Sequence, residues 1–287
     1  MARKYLFIDS DEALKNWVAS QHDLTAIAVD TEFMRFRTYF SKLCLVQLAT
    51  DKEAICIDPL AISDFEPLLS IFTHPKIIKI FHSASQDLET LYTTFSLIPK
   101  PIFDTQIAET VLGADHLMSY QDTVEMRLNV LLEKTETRTD WEKRPLSQNQ
   151  IDYAYDDVTY LYDLYLLMKD KIETKEEQRI FGDKTEALYL VEKYAPNPEM
   201  AWMKVKARKT LRGKRLQLLK VLAKRREEVA IEHNMPKRWV VDDAALISIS
   251  KDFNQPNHEK ALSSYFEKQR MAPYFQPVID EFLSSYS

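Results

Sequence analysis

The sequence predicts an α/β domain built on a mixed sheet, followed by a smaller all-helical unit. Three observations carry that prediction. The first third alternates short β-branched runs with apolar residues at helical spacing. From about residue 119 onward only helical patterns follow. After a proline-bearing break near residue 195 the chain turns strongly basic.

Residues 26–30 (AIAVD), 43–49 (LCLVQLA), 53–57 (EAICI) and 76–81 (KIIKIF) have the composition of strands. Residues 64–72, 85–95 and 105–112 carry apolar side chains at helical spacing. Three closely spaced strands followed by strand–helix alternation imply a mixed sheet. Ser147 with Gln150 three residues later is a capping-box signature, and it predicts a long helix over 148–170 with a further one running to about 193. Residues 195–199 (APNPE) read as a linker. The expected organisation is a catalytic domain over 1–170, a helical connector over 171–204 and a helical nucleic-acid-binding unit over 205–287, broken near 234–236 and 254–256.

At 287 residues the chain is long enough for two domains, and 45% hydrophobic with 29% charged residues is ordinary globular composition. Only three glycines occur, Gly113, Gly182 and Gly213, so neither a glycine-rich phosphate loop nor a dinucleotide fingerprint can be written, and no nucleotide cofactor is expected. Cys44 and Cys56 lie in apolar stretches without zinc-type spacing and are expected as buried free thiols. No signal-peptide core or membrane-length apolar run is found, which predicts a cytoplasmic protein acting away from membranes, with a monomer as the expected state. Residues 203–226 hold eleven Lys/Arg and no Asp/Glu, so the rest of the chain carries a formal charge of −17 against −6 for the whole. That asymmetry suits an acidic catalytic body joined to a polyanion-binding element, although a solvated basic face has the same composition.

Asp30 and Glu32 stand two apart at the end of a predicted strand, so both carboxylates point to one side and can share a hard cation. Asp87 falls in the first turn of the helix that follows residues 76–81, at the sheet edge where open α/β folds place their sites. A helix-start acid favoured by the helix dipole would look the same. On the long helix Tyr153 and Asp157 are four apart and share a face, so a phenol can reach water beside a cation-holding carboxylate. Asp156 competes for the ligand role, but Asp157 leads into the apolar VTYL stretch and is favoured. Acids gathered from distant segments suit phosphodiester hydrolysis with two divalent cations, Mg²⁺ or Mn²⁺.

These strings resemble a known family. DTEF at Asp30, HSASQDLE around Asp87 and YAYDDVTYL with its Tyr-x-x-x-Asp spacing are similar to the three exonuclease motifs of the DEDD superfamily, in its tyrosine-bearing branch. RFRTYFSKLCLVQLAT, FDTQIA and TRTDWEKRPLS extend the resemblance to ribonuclease D over residues 24–170. The resemblance implies an RNase H-like mixed sheet flanked by helices, with Asp30, Glu32, Asp87 and Asp157 as metal-site acids and Tyr153 orienting the attacking water. It further implies removal of nucleotides one at a time from RNA 3′ ends, tRNA precursors among them. The string LRGKRLQLLKVLAKRREEVAIEHNMPKRWVVDDAAL resembles the HRDC nucleic-acid-binding domain, present once where longer family members carry two.

Second-rank candidates surround these motifs. Arg35 and Arg37, with Tyr39 and Phe40, interleave cations and aromatics as a single-stranded end requires, and they fit a loop with packed aromatics equally well. Thr31 and Phe33 join them as substrate contacts. Arg138, Trp141 and Arg144 suit a clamp on the scissile phosphate or the penultimate base, or a structural role. Asp104 and Gln106 border the motifs, with helix capping an equal alternative for Asp104. His82 is expected as a core histidine. Two other functions fit the motifs: a 3′→5′ exonuclease acting on DNA, and a catalytically silent RNA-binding module. Retention of all four acids and the tyrosine argues against the second.

Overall fold

The central strand is hydrophobic on both sides until its last turn, and that pattern sets the architecture. In the computed structural model, which describes residues 3–132, 136, 139–251 and 272–285, β1 (Lys4–Ile8), β2 (Ala26–Met34), β3 (Lys42–Ala49), β4 (Glu53–Ile57), β5 (Ile78–Phe81) and β6 (Ile102–Asp104) form one sheet in the order β1-β4-β3-β2-β5-β6. β3 runs antiparallel to β2 and β4, and the other pairings are parallel. The sheet is therefore mixed, with helices on both faces.

Ile27 and Val29 face one apolar layer and Ala26 and Ala28 the other. A slip of one residue would exchange the two layers, and each buried aliphatic side chain is worth about 1.5–3 kcal/mol, so the register of β2 is strongly specified. The first layer holds α1 (Asp11–Ala19), α2 (Glu66–Thr73) and α3 (Ser85–Phe95). On the second face lie α4 (Thr105–Val111), α5 (Tyr120–Leu128) and α6 (Gln148–Met168), with α6 packed across β2, β3 and β4. The capping box of α6 is present: the Ser147 hydroxyl accepts from the Gln150 N–H and the Gln150 side chain accepts from the Ser147 N–H at 2.9 Å.

The chain divides into two units, Met1–Met34 with Ser41–Ala195 and Arg35–Phe40 with Pro196–Ser287. Residues 171–195, expected as connector, pack with the first unit. There α7 (Lys175–Glu186) sets Phe181 against Phe103 at 5.0 Å between ring centroids, while Leu188 and Tyr194 are buried in the first apolar layer. The helix expected to reach residue 193 ends at Glu186 and gives way to two short 3₁₀ turns.

The second unit is built on α8 (Gly213–Glu232), whose Leu218, Leu219, Leu222, Val229 and Ala230 pack with α9 (Lys237–Val240), α10 (Asp243–Lys251) and α11 (Ala272–Ser284). Asn234 ends α8 near the expected break, with φ of 45°. The break expected at 254–256 lies outside the described residues. Residues 35–40 join this unit through Tyr39, which packs on its core and donates its hydroxyl to Glu227 at 2.5 Å. The Asn234 side-chain oxygen accepts from the Tyr39 and Phe40 N–H groups at 3.1 Å each. Both cysteines are free and buried, and no described helix is long and apolar enough to cross a membrane.

Candidate active site

At the end of β2 the two-residue alternation of a strand sends Asp30 and Glu32 toward α6 and Thr31 toward α3. Directly across from Asp30 the chain of α6 presents Asp157, and one carboxylate oxygen from each of Asp30, Glu32 and Asp157 lies within 4.8 Å of the other two. Asp87 approaches from the first turn of α3. Its Oδ1 accepts the Thr31 hydroxyl at 2.6 Å and the Thr31 N–H at 3.1 Å, which ties α3 to the strand carrying the other acids. Asp87 lines the same cavity but stands outside the 4.8 Å cluster.

Burial, followed by mutual repulsion, holds the protons on these acids. Burial raises the Asp30 carboxyl well above its ordinary range, and Asp87, Asp157 and Glu32 add to the effect. Glu32 moves the same way for the same reasons. Burial pushes Asp87 up to about 7 despite its hydrogen bonds from Thr31, and Asp157 up to about 8 despite one from Tyr153. Tyr153 stands one turn before Asp157 and donates its phenol to that carboxylate; burial and the surrounding acids raise its own pKa further. Asp156 points away from the cluster and its main-chain carbonyl accepts from the Tyr120 hydroxyl at 2.8 Å.

The acids open onto a cavity of about 730 Å³ walled by Phe33, Tyr120, Trp141 and Leu161. Among the described residues no lysine or arginine lines it. A phosphodiester, itself anionic, therefore meets four carboxyl groups with no cation from the described lining between them. The donor set is all oxygen, which fits Mg²⁺ or Mn²⁺ and fits zinc poorly, and a bound divalent cation would offset the repulsion that adds to burial in raising these pKa values.

The remaining expected contacts divide. Thr31, Phe33 and Trp141 line the cavity, with the Trp141 and Tyr153 ring centroids 6.2 Å apart. Of the two roles open to Arg144, clamp or structural anchor, its contacts fit the anchor. Its guanidinium grips Asp58 with two bonds of 2.6 and 2.7 Å and donates to the Cys44 and Trp141 carbonyls at 2.7 and 2.8 Å, so its donors are occupied. Asp104 takes the helix-capping alternative. It is buried, caps α4 by accepting from Gln106 and Ile107, and accepts from the Ser83 and Ala84 N–H groups that lead into α3. Gln106 lies off the cavity and donates to the Met118 carbonyl at 2.7 Å. Arg35 and Arg37 belong to the second unit, where the Arg37 guanidinium lies 4.9 Å from the Phe36 ring centroid. Arg138 lies outside the described residues.

His82 is no plain core residue, since it lines the cavity with its ring held by Thr105 at 2.9 Å and the Met118 carbonyl at 3.1 Å. Burial lowers its pKa, and because a carbonyl can only accept, Nε2 donates to Met118, while the Thr105 hydroxyl also bonds the Phe81 carbonyl at 3.1 Å. Tyr120 was not anticipated: it stands beside Asp157 and Asp30, and a lone tyrosine after a capping serine gives no signal of that position.

The sequence profile described as 3'-5' exonuclease matches residues 5–173. A ribonuclease D of Bartonella henselae is 38% identical over 237 residues, which is 82% of this chain; the chain spans 58% of that protein's length. A solved structure described as Escherichia coli RNase D, an exoribonuclease involved in structured RNA processing, aligns with a TM-score of 0.85 at 30% identity, covering 99% of this chain and 76% of that one. The structure of Brucella melitensis NrnC with bound Mg²⁺ aligns with a TM-score of 0.54 at 25% identity, covering 72% of this chain and 98% of that one.

Proposed function

This chain belongs to the 3′–5′ exonuclease family, in its ribonuclease D group, and from that premise we propose that it hydrolyses RNA one nucleotide at a time from the 3′ end. The observation that carries the reading is the set of four carboxylates facing one cavity whose described lining holds no Lys or Arg. Such a site offers a phosphodiester no cationic partner from its described lining until divalent cations occupy it.

Asp30, Glu32 and Asp157 would hold two such cations, Mg²⁺ or Mn²⁺, with Asp87 completing the acidic set. Bound there, the cations supply Lewis-acid stabilisation of the phosphoryl oxygens and lower the pKa of water. The NrnC structure with Mg²⁺ supports the choice of ion. Thr31 keeps Asp87 fixed against β2. Burial and the neighbouring acids raise the Tyr153 pKa, so the phenol keeps its proton and suits a role in orienting a water by hydrogen bonding. Phe33 and Trp141 offer apolar faces to the terminal bases.

Precursor tRNA is the substrate that best suits this reading, handled by a monomer in the cytoplasm. The second unit would contribute as an HRDC-like nucleic-acid-binding domain. Arg226 is buried against Asp243 at 2.7 Å, Arg225 is paired with Glu228, Lys224 with Glu199, and Lys220 lies 4.7 Å from the Trp202 ring centroid. The exposed cations of the basic run are in its first half, Lys204, Lys206, Lys209, Arg212 and Lys214.

The test is to incubate the full chain and Mg²⁺ with 5′-labelled precursor tRNA bearing a short 3′ extension, alongside single-stranded RNA and DNA of matched sequence. A ladder shortening by single nucleotides from the 3′ end of RNA, abolished by chelator, is the expected result. Internal cleavage, undiminished activity after thorough chelation, or preference for DNA would refute the reading.

A further inference from the structure

Gln47 occupies the middle of the sheet, directly across from Asp30 on β2 and from Cys56 on β4. Facing residues on adjacent strands put their side chains on the same side with Cβ atoms about 4.5–5.5 Å apart. Ala28 and Ala49, the flanking cross-strand pair, both pack in the α6-side layer, as does Cys56. The Gln47 amide is therefore in a row that runs from the acid Asp30 to Cys56 beneath α6. At the far end of that row the Cys56 thiol has its own partner, the Tyr155 hydroxyl. Gln47 has none: it is fully buried, and neither its side-chain nitrogen nor its oxygen finds a hydrogen-bond partner.

An unpaired buried amide is destabilising, because both its donor and its acceptor have lost water without replacement. An apolar residue would fill the same space at no such penalty, as every other inward position of β3 shows. A side chain of this kind has a carboxylate, that of Asp30, facing it on the adjacent strand. We infer that Gln47 is a positioning residue for the acidic site, its amide N–H donating to the Asp30 carboxylate when the site holds a cation. The amide then does for Asp30 what the Thr31 hydroxyl does for Asp87: it fixes the carboxylate's orientation and leaves the other oxygen for the ion. This inference rests on the cation-dependent reading of the site given above.

The experiment compares the full chain with Gln47→Met, which keeps length and volume without the amide, and Gln47→Leu as a second apolar filling; Asp30→Asn is the control. Binding of Mn²⁺ alone is measured by titration against the free-ion electron paramagnetic resonance signal, and the melting temperature is measured in chelator. The expected result is Mn²⁺ affinity lowered about 10- to 100-fold in both Gln47 variants, the range for partners that orient a metal ligand. The metal-free melting temperature should be unchanged or higher, since an unpaired amide has been removed. Affinity equal to that of the unaltered chain in whichever variant folds overturns the inference. So does a lowered metal-free melting temperature with unaltered affinity, the behaviour of an amide bonded to a buried water. Asp30→Asn separates the two levels: retention of full Mn²⁺ affinity there refutes the cation site itself, whereas its loss together with normal binding by Gln47→Met refutes only the positioning role.

Discussion

Tyr153 donates its phenol to the carboxylate of Asp157, one turn further along α6, so a proton donor and an acid of the cluster are held at a fixed separation by the helix itself. The phenol needs no other element to place it. Its raised pKa keeps it protonated, and its contribution is one positioning hydrogen bond near the reacting water.

Tyr153→Phe should therefore lower kcat and leave KM nearly unchanged, because the hydroxyl acts on the water and not on RNA in the ground state. Loss of one such bond corresponds to roughly 10- to 1000-fold. Single-turnover cleavage of a short labelled RNA measures it, and a rate equal to that of the unaltered chain would remove Tyr153 from the mechanism.

The stability of the metal-free protein should fall as pH rises. Asp87 and Asp157 hold their protons up to about 7 and about 8 in the folded state, against an ordinary range near 4 for an unfolded chain. Folding is thus favoured most when these groups are protonated, and the advantage is lost as pH climbs through 7 and 8. In chelator the melting temperature should decline between pH 5 and 9, while saturating Mg²⁺ should flatten the curve. Asp30→Asn and Asp157→Asn should raise the metal-free melting temperature at pH 8, by about 2–4 °C for each kcal/mol of repulsion relieved. Coincident curves with and without Mg²⁺ would dismiss the electrostatic account.

Arg144→Met should destabilise the first unit by about 3–5 kcal/mol, the range for leaving one member of a buried pair uncompensated, because Asp58 is only 4% exposed and loses both of its guanidinium bonds. Denaturant unfolding measures this. A phosphate clamp would behave in the opposite way, with unfolding unchanged and KM for RNA raised.

Arg144 also shows where sequence reading runs out. A planar guanidinium binds a carboxylate and a phosphate with the same geometry, and Asp58 is 86 residues away in the chain, so nothing local distinguishes the two roles. β2 to β5 were legible because their apolar runs are long enough to carry a period. The three-residue β6 acquires strand character only by pairing with β5, and β1 is a mostly exposed strand whose identity comes from its parallel partner β4. α1 went unread although it carries a signal, Ser10 followed by Asp11 and Glu12, a capping residue with acids in the first turn, and Leu14 and Trp17 buried. The acids were legible because their spacing is local: two residues on a strand, four on a helix. Gln47 was not, because a single amide in an apolar run has no spacing to read.

The last prediction concerns the basic unit. Truncating the chain near residue 199 is a poor test, because Tyr39 and Phe40, which follow closely on β2, take their hydrogen-bond partners from Glu227 and Asn234 and would lose them. Substituting Lys204, Lys206, Lys209 and Arg212 by alanine leaves those contacts in place, since all four side chains are exposed. Each phosphate contact to a single strand contributes about −0.7 to the slope of log affinity against log salt, so losing three or four should flatten the slope by roughly 2–3. Binding of precursor tRNA should weaken most at low salt and converge with that of the unaltered chain at high salt, while Mg²⁺-dependent cleavage of a short RNA proceeds as before. Unchanged affinity and unchanged slope would mean that these cations only solvate the helical unit, and the nucleic-acid role assigned to it would fall.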